Sequence, residues 1–566
     1  MSSMHQLPKE VIGAIAAYLS VDTLLALAAT HRRLRGIIVD NVALWRYHYE
    51  RTYPLDTDTE LAWLAGLAAL ASDTGRDHDA LDWYRAYVYR HRTECNWRHG
   101  RFHEHIQQLP RLSQQRRYRL LGKSDWGAIL LSEHDRRLFL IGGGIAAAHQ
   151  QQQQQQQQQH RYWQELSITT LPDCVAYPEK AMVASHYVVV CGRVVYSHPA
   201  QRHRRPKPPA TLGERLRRRL GGGSGGGGGS GAHDEEVTVD DTLRTWMSCL
   251  WVWRRGSGEL LTTIHSPNTL QLQQLIGRWL LVRARYPTDD PHGGNSRYRV
   301  LDLRTSVWCT GELIAATGFC HLHIAPSEQA PIHADHHNSS DEDADATVTV
   351  FVGFETGMHG LTSAFRWQLL VLGRATPHIL RSGYSPYWPM LVRKAGSSVR
   401  LDDAHVVLTV DFDRASTAQT YVGLLRLGCE RLQWREPMHD TIVAWTPDRQ
   451  HLLTTTGSGG GSISNHVNDD GRRRYTVRQL GRSDVVGEYR LTESSYRLHC
   501  LSRRLAYAYS PKTAGSMVLD VMTGETIHTI DPSGLTRCQM SFPSLGQLML
   551  LHPYSGQLIV CDFVPR

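Results

Sequence analysis

The sequence predicts a multidomain protein that is helical at its N-terminus and then mainly antiparallel β, forming a β-propeller of about seven or eight blades. Apolar residues recur at helical spacing through roughly the first hundred residues. From about residue 118, short apolar segments bounded by turn residues replace that pattern. A strand–turn–strand pattern then returns after 42 residues (Asp520 to Asp562) and 49 residues (Trp253 to Asp302), close to the period of propeller blades.

The first unit, residues 1–50, is predicted to be a short helical module. Leu7-Pro8 opens it, and proline suits the first turn of a helix because an N–H group there would have no partner. Val11, Ile15 and Leu19 recur every four residues, so they share one helix face. A module this small cannot bury all of its apolar side chains, and we expect some of them to face a partner.

A second helix follows directly. Ser20 or Asp22 can cap its N-terminus, and its apolar face is predicted to run from Leu24 through His31 to Leu34. Residues 41–45 end the module with the aromatic side chain of Trp45.

These residues together resemble the F-box. The matching positions are Leu7-Pro8, Glu10, Val11 to Leu19, Leu24 to Leu27, Arg32-Arg33 and Leu44-Trp45. Two positions depart from the commonest pattern: His31 stands where the family often has cysteine, and Leu34 where it often has tryptophan. Without the resemblance, the same residues are compatible with an ordinary helical hairpin that packs on its own domain.

The resemblance implies that the module docks on the Skp-type adaptor of a cullin–RING ubiquitin ligase, while the rest of the chain selects the protein to be ubiquitinated. The chain would then be a non-catalytic subunit of the E3 complex. Helix-face interfaces of this kind depend on a few buried apolar hot spots. The expected adaptor-binding residues are Leu7, Pro8, Val11, Ile15, Leu19, Leu24, Leu25, Leu27, Leu44 and Trp45.

Residues 51–115 are predicted to form a helical linker. Glu60 to Ala71 is rich in leucine and alanine, and Ala80 to Arg98 spaces Trp83, Tyr87 and His91 at helical intervals. An aromatic and arginine-rich helix before a β domain resembles the linker of F-box/WD-type proteins. Such a linker would hold the substrate-binding domain at a set distance from the adaptor, or simply pack as the end of the helical module.

Residues 116–566 are predicted to be the β-propeller-like, substrate-binding domain. Val518 to Ile527 reads as strand, turn and strand, and Leu250 to Leu261 repeats that layout. Arg299 to Thr305 and Ile559 to Asp562 repeat its first half, in the manner of the outer strand and exit turn of a WD-repeat blade. Weaker copies are Trp163–Leu166, Trp367–Leu370, Val422–Leu425 and Val477–Leu480. A pair of irregular β-sandwiches is the alternative.

Low-complexity insertions are expected near residues 145–161, 198–236, 327–346 and 456–473. Between Arg202 and Arg219 lie eight basic residues and one acidic residue, which account for seven of the eight net positive charges of the chain. A glycine-rich tract follows directly. Arg202, Arg204, Arg205 and Lys207 are candidates for a nuclear-localisation signal, and binding to nucleic acid is not expected.

The sequence does not indicate catalysis, a cofactor or a metal site. Its Gly-x-Ser-x-Gly, at 222–226, lies within the glycine tract, where composition alone produces it. His333, Asp335, His336 and His337 have side chains that metals bind, but nothing in their spacing fixes a coordination geometry. The substrate-binding residues stay unassigned because no blade aligns well with another. A propeller scaffold for protein–protein interaction outside the ubiquitin system is the alternative function.

Cysteine usage and hydropathy predict the compartment. Ten cysteines are scattered between Cys95 and Cys561 without a Cys-x-x-Cys pair, as in proteins of reducing compartments. No apolar run approaches the length of a membrane span, and the first residues lack the features of a secretory signal. We therefore expect the cytoplasm, the nucleus or both.

Overall fold

The structure is a computed structural model, and part of the chain is described. The described residues are 7–53, 55, 58–72, 81–110, 117–133, 136–142, 163–167, 174–196, 245–285, 296–309, 313–315, 319–322, 347–356, 363–373, 377–388, 392–400, 405–414, 417–426, 432–434, 440–446, 451–456, 473–479, 485–491, 496–510, 515–530 and 540–564.

Helices form the N-terminal part. They are α1 (Lys9–Tyr18), α2 (Val21–Thr30), α3 (Arg32–Val39), α4 (Val42–Thr52), α5 (Asp58–Ser72) and α6 (Trp83–His99). Four N-caps have a side chain that accepts a hydrogen bond from the first turn: Ser20 for α2, His31 for α3, Asn41 for α4 and Asp82 for α6. Of the two predicted capping residues, Ser20 and Asp22, Ser20 is the N-cap of α2.

The second helix is shorter than predicted. It ends at Thr30. The backbone of His31 is extended, and its imidazole accepts a hydrogen bond from the N–H of Arg33. His31 thus begins α3 instead of continuing the apolar face of α2. Because the chain is extended at His31, α2 and α3 are separate helices that can run in different directions. Leu24 of α2 and Leu34 of α3 therefore reach the same core from different directions.

Strands form the rest of the described chain, in eight antiparallel sheets. Sheet 1 contains β2 (Tyr118–Ser124), β3 (Gly127–Ser132), β4 (Leu138–Gly142) and β5 (Trp163–Leu166). Sheet 2 contains β6 (Cys174–Val183), β7 (Tyr187–Tyr196), β8 (Thr245–Arg254) and β9 (Leu260–Ser266). Sheet 3 contains β10 (Thr269–Ile276), β11 (Trp279–Arg285), β12 (Ser296–Asp302), β13 (Val307–Trp308) and β14 (Leu313–Ala315). Sheet 4 contains β15 (Phe319–Leu322), β16 (Val348–Thr356), β17 (Ser363–Leu372) and β18 (His378–Trp388).

The remaining sheets have the same layout. Sheet 5 contains β19 (Val392–Arg400), β20 (His405–Arg414), β21 (Thr417–Arg426) and β22 (Leu432–Trp434). Sheet 6 contains β23 (Asp440–Trp445), β24 (His451–Thr456), β25 (Arg473–Gln479) and β26 (Val485–Leu491). Sheet 7 contains β27 (Arg497–Cys500), β28 (Leu505–Tyr509), β29 (Ser516–Asp520) and β30 (Thr526–Ile530). Sheet 8 contains β31 (Met540–Pro543), β32 (Gln547–Leu551), β33 (Gln557–Asp562) and β1 (His103–Gln108).

Consecutive strands pair in the sheets as in a meander, except that β14 of sheet 3 pairs with β12. The first strands of several successive sheets lie side by side. Sheet 8 differs because its fourth strand, β1, comes from the other end of the β region and pairs with β33 from His103↔Asp562 to Gln108↔Gln557. The predicted fold class is confirmed: helices come first, followed by consecutive antiparallel sheets of the propeller type. The number of blades in a closed ring stays a prediction.

The start of the β region differs from the predicted boundary. β1 lies inside residues 51–115, the range predicted as a helical linker. Its partner strand is at the far end of the chain, so local sequence patterns do not reveal the pairing.

The sequence repeat marks an equivalent position in most sheets. Trp253, Asp302, Asp520 and Asp562 all lie at or near the end of a third strand, in β8, β12, β29 and β33. Three of the weaker copies also lie on third strands: β17, β21 and β25. The repeat is thus the third strand and its exit turn, and not the outermost strand as predicted. Trp163–Leu166 is the exception, because it forms the fourth strand of sheet 1 while β4 is the third.

The predicted insertions lie almost wholly outside the described residues, between paired strands. Residues 143–162 connect β4 to β5, 197–244 connect β7 to β8, 323–346 lie between β15 and β16, and 457–472 connect β24 to β25. The candidate nuclear-localisation residues Arg202, Arg204, Arg205 and Lys207, and the His333 group, lie within these segments and so outside the described residues.

Candidate protein-interaction surfaces

Helix α1 exposes a row of apolar side chains. Val11, Ile15 and Tyr18 are 42%, 36% and 91% exposed and are spaced by four and three residues, so they share one helix face. Ile12 and Ala16, which lie on the adjacent face of the helix, are buried. We call Val11, Ile15 and Tyr18 the α1 strip. An exposed apolar row on a short helix is the kind of surface that binds a partner.

The ten residues predicted to bind an adaptor divide into three groups. Pro8, Val11, Ile15 and Leu25 are exposed. Leu7, Leu19 and Leu27 are half-buried. Leu24, Leu44 and Trp45 are buried in the core of the chain, so they shape the module from inside and do not form its surface. Their adaptor contacts, like those of the other seven residues, stay a prediction.

The burial of Trp45 has a clear structural basis. Its indole Nε1 donates to the carbonyl oxygen of Ile38 at 2.8 Å, and its ring meets the edge of Tyr84 with centroids 4.9 Å apart. Trp45 thus joins α3, α4 and α6. The prediction missed Tyr18, Val42 and Tyr47, which are exposed. The position of Tyr18, seven residues after Val11, is the sequence signal that could have identified it.

A buried charge network ties α4, α5 and α6 to the β domain. The guanidinium of Arg90 donates to Glu60 at 2.9 Å, and both side chains are almost fully buried, with exposures of 2% and 1%. Tyr49 also donates to Glu60, at 2.9 Å. Glu94, 3.8 Å from Arg90, accepts a hydrogen bond from Ser502 in the turn between β27 and β28. The network therefore spans both parts of the protein.

The electrostatic environment keeps Arg90 charged. Burial acts to lower the pKa of Arg90, but Glu60, together with Tyr53 and Glu94, outweighs it and leaves that pKa above its usual value. The guanidinium also lies 4.4 Å from the centre of the Tyr53 ring. Burial is the main cause of the raised pKa of the Tyr49 hydroxyl, which stays protonated and donates to Glu60.

Helix α6 is fixed to the end of the chain. The Trp97 ring stacks on Phe563 with centroids 3.7 Å apart, and its Nε1 donates to the carbonyl of Leu545 at 2.7 Å. Asn96 donates to the carbonyl of Phe563 at 2.8 Å. The helices and sheets 7 and 8 share one hydrophobic core. This supports the predicted spacer role, because a segment held by stacking, hydrogen bonds and core packing cannot swing freely.

All of these helix contacts lie at one end of the sheets. Asp125, which accepts a hydrogen bond from the Thr59 hydroxyl of α5, lies in a turn after a first strand, as do Ser502 and Leu545, and Phe563 follows a third strand. In a meander those turns lie at the same end, which we call the helix face. We call the opposite end, formed by the turns after second strands and by the starts of first strands, the open face.

The open face carries a stack of half-exposed side chains. The guanidinium of Arg136 lies 4.4 Å from the centre of the Tyr177 ring, and that ring is 5.8 Å from Trp246. Tyr177 and Trp246 are exposed although large and aromatic. Tyrosine, tryptophan and arginine are the residues that most often dominate binding at protein interfaces. The stack is therefore the best candidate for a substrate contact among the described residues.

A small cavity of about 120 Å³ beside β2, β27 and β31 contains the strongest candidate for catalysis in the described part of the chain. His499 Nε2 lies 4.0 Å from Asp125, too far for a hydrogen bond, and burial lowers the pKa of His499 to about 4. Ser124 accepts from the N–H of Trp126, and Ser544 donates to the carbonyl of Gln547. Among the described residues His499 Nε2 has no hydrogen-bond partner, so neither hydroxyl is paired with that nitrogen.

Buried thiols in the described residues are part of the core packing. The thiols of Cys191 and Cys249 are buried, and burial raises each pKa to about 12. No group of three or more His, Cys, Asp or Glu side chains in this part of the chain could hold a metal ion. None of the described helices combines the length and apolarity needed to cross a membrane.

Comparison with known proteins identifies the N-terminal module. Residues 4–51 match the F-box-like family model, which confirms the resemblance predicted from the sequence. No curated protein matches the chain.

Several solved structures are similar in fold. The β-propeller domain of the Trilobed protease from Pyrococcus furiosus is 10% identical over 68% of this chain and 93% of its own, with a TM-score of 0.35. A eukaryotic initiation factor is 10% identical over 78% of this chain and 91% of its own, with a TM-score of 0.33. Acylaminoacyl peptidase from Pyrococcus horikoshii is 8% identical over 67% and 49%, with a TM-score of 0.34. Because these TM-scores are low, the propeller assignment rests on the strand pairing itself. The WD-type repeat stays a prediction.

Proposed function

We propose that this protein is the substrate-recognition subunit of a cullin–RING ubiquitin ligase. The observation that carries the proposal is the F-box-like match at residues 4–51, which coincides with the exposed α1 strip. F-box modules generally bind Skp-type adaptors, and propeller domains generally bind other proteins. The chain would recruit the ligase through the α1 strip and a protein substrate through the β domain.

The arrangement of the two parts supports a receptor role. The charge network around Arg90 and the stacking of Trp97 on Phe563 hold the F-box-like module against the helix face. The open face carries the Arg136–Tyr177–Trp246 stack, and it is the end of the sheets opposite the helix face. A substrate bound there would be held at a fixed distance from the adaptor, which favours repeated transfer of ubiquitin to the same region.

The remaining parts of the proposal follow from this role. The chain would act without chemistry of its own, as F-box proteins typically do, and the ligase subunits would supply the catalysis. It would work in the cytoplasm, the nucleus or both, where the ligase operates, with Arg202, Arg204, Arg205 and Lys207 as the candidate localisation signal.

Co-purification from cells tests the proposal. The wild type should bring down a Skp-type adaptor and a cullin, identified by mass spectrometry. A Val11→Asp, Ile15→Asp variant should lose both while keeping its far-UV circular dichroism, because both side chains are exposed. Proteins retained by the variant are candidate substrates. Absence of adaptor and cullin from the wild-type sample would contradict the proposal and favour a propeller scaffold outside the ubiquitin system.

A further inference from the structure

The basic residues of this chain are almost all arginines. The sequence has 62 lysines and arginines, and six of these are lysines: Lys9, Lys123, Lys180, Lys207, Lys394 and Lys512. Lysine is ordinarily one of the commonest residues of soluble domains. The positive charge of this protein is thus carried almost entirely by guanidinium groups.

Geometry explains the choice of arginine at some positions. The Nε and Nη2 atoms of Arg90 both lie 2.9 Å from Glu60 Oε1, so two nitrogens of the planar guanidinium contact one buried carboxylate. Arg255 donates to the carbonyl of Trp126 at 2.8 Å, and its guanidinium lies 5.3 Å from the centre of the Trp126 ring. The compact ammonium of lysine does not reproduce this planar geometry.

Geometry does not explain the choice at several exposed positions. The nearest nitrogen of Arg137 lies 3.6 Å from Glu165, and that of Arg254 lies 3.8 Å from Glu259, both beyond hydrogen-bond distance. The two arginine side chains are 49% and 62% exposed. A lysine would supply the same charge, and exposed ion pairs contribute little to stability. Folding therefore does not require arginine at these positions.

Lysine and arginine differ in one property that matters to a ubiquitin ligase. Ubiquitin is delivered as a thioester, and the neutral amine of a lysine side chain attacks its carbonyl carbon. A C–N bond forms, the C–S bond breaks, and the thiol leaves with a proton from the amine. A guanidinium stays protonated at neutral pH and does not attack. Arginine thus keeps the charge of lysine without accepting ubiquitin.

Four of the lysines lie within the described residues, and they are far apart in the fold. Lys9 begins α1, and Lys123 is at the helix-face end of β2. Lys180 is in the interior of β6, and its Nζ donates to the carbonyl of Leu272 at 2.7 Å. Lys394 is two residues after the start of β19, which makes it the nearest of the four to an open-face strand end.

Arginines occupy the open face of sheets 1 and 2, where the candidate substrate contact lies. Arg117 directly precedes β2, and Arg136 and Arg137 are in the turn between β3 and β4. Arg193 is three residues before the open-face end of β7. All four are exposed. Lysines at these positions would lie beside a bound substrate, within the region to which ubiquitin is delivered.

We infer that this chain escapes ubiquitination by the ligase that it recruits, because arginines stand in place of lysines around the substrate contact. The inference rests on the proposed ligase function. The receptor stays next to the activated ubiquitin for as long as its substrate does, so an exposed amine near the open face competes with the substrate. With arginines there, ubiquitin passes to the substrate, and the receptor is free for another round.

Self-modification in a reconstituted ligase tests the inference, with the full chain, a Skp-type adaptor, the cullin–RING subunits, the charging enzymes, ATP and fluorescent ubiquitin. An Arg137→Lys, Arg193→Lys variant should be ubiquitinated about fivefold faster than the wild type or more, at the introduced lysines, as peptide mapping would show. The matched control, Arg137→Gln with Arg193→Gln, loses the same arginines without gaining an amine and should be modified like the wild type. Equal rates for the wild type and the lysine variant would overturn the inference.

A flexible, lysine-containing tag after Arg566 distinguishes this result from a failure of the ligase function. Modification of the tag shows that the ligase is active. Introduced lysines that stay unmodified beside a modified tag would overturn the inference alone. A tag that is not modified either would contradict the ligase function, and the inference would fall with it.

Turnover in cells shows whether the modification comes from the chain's own ligase. The Arg137→Lys, Arg193→Lys variant should be degraded faster than the wild type. Adding Val11→Asp and Ile15→Asp should restore the wild-type lifetime, because the α1 strip would no longer bind the adaptor. Fast degradation that persists without the α1 strip would come from another ligase or from misfolding, and would contradict the inference.

Discussion

The indole ring of Trp97 lies flat on the phenyl ring of Phe563, with centroids 3.7 Å apart and planes 9° from parallel. Trp97 is near the end of α6, and Phe563 directly follows β33. The contact joins the N-terminal helices to the last strand of the chain. The position of the F-box-like module against the β domain depends on this contact and on the charge network around Arg90.

Replacing Trp97 with alanine should destabilise the protein by about 3–5 kcal/mol, the usual cost of truncating a buried aromatic residue. The variant loses the stack on Phe563 and the hydrogen bond to the Leu545 carbonyl. Urea unfolding followed by far-UV circular dichroism measures the effect. Trp246→Ala is the control, since that side chain is half-exposed and its loss should cost far less. Equal costs for the two variants would show that α6 is not fixed as described.

Removing only Glu60 from the Glu60–Arg90 pair should destabilise the protein more than removing both charged side chains. Glu60→Leu leaves the buried Arg90 without its main partner and should destabilise by about 3–5 kcal/mol. A Glu60→Leu, Arg90→Met double variant removes both charges and should recover much of that loss, as measured by thermal unfolding. The single variant Arg90→Met completes the comparison. If the loss of stability in the double variant equalled the sum of the losses in Glu60→Leu and Arg90→Met, the two side chains would not be coupled as the geometry indicates.

Stability should depend on pH through His499. Burial lowers the pKa of His499 to about 4 in the folded chain, against an ordinary value of 6.5. Between these values the unfolded chain binds a proton that the folded chain does not, so this residue makes stability fall as the pH falls from about 6.5 to 4.

The check compares the urea midpoint of the wild type and of His499→Gln at pH 7 and pH 5. The variant should lose less stability than the wild type on acidification, because it has no imidazole to protonate on unfolding. Identical losses in the two proteins would contradict the assigned pKa.

Thiol reactivity should follow burial. Cys95 is partly exposed, whereas burial raises the pKa of Cys191 and Cys249 to about 12. A maleimide at pH 7 should therefore label Cys95 well before the other two, as peptide mapping by mass spectrometry would show. Early labelling of Cys191 would mean that sheet 2 opens more readily than its packing implies.

The sequence predicts the local features of this protein well. Ser20 caps α2 as expected, since capping depends on residues only three positions apart. The repeat that includes Asp302, Asp520 and Asp562 marks third strands because each blade needs the same turn after that strand. The assignment of Trp163 to the repeat is wrong, since one short apolar segment does not show which strand of a sheet it forms.

The features that local patterns miss are contacts between distant residues. Asn96 and Phe563, joined by a hydrogen bond, are 467 positions apart, and β1 pairs with β33 across a similar span. Periodicity also identifies an apolar helix face without saying what covers it. Leu24 and Trp45 are therefore equivalent to Val11 and Ile15 in the sequence pattern, although the first pair is buried and the second is exposed.

The central claim is that the α1 strip binds a Skp-type adaptor, and direct binding of the purified full chain to purified adaptor tests it. The account predicts tight binding by the wild type and a loss of at least a hundredfold for Val11→Asp with Ile15→Asp. Val307→Asp, which alters an equally exposed valine on β13, should bind like the wild type. Undiminished binding by the α1 variant, or no binding by the wild type, would contradict the account.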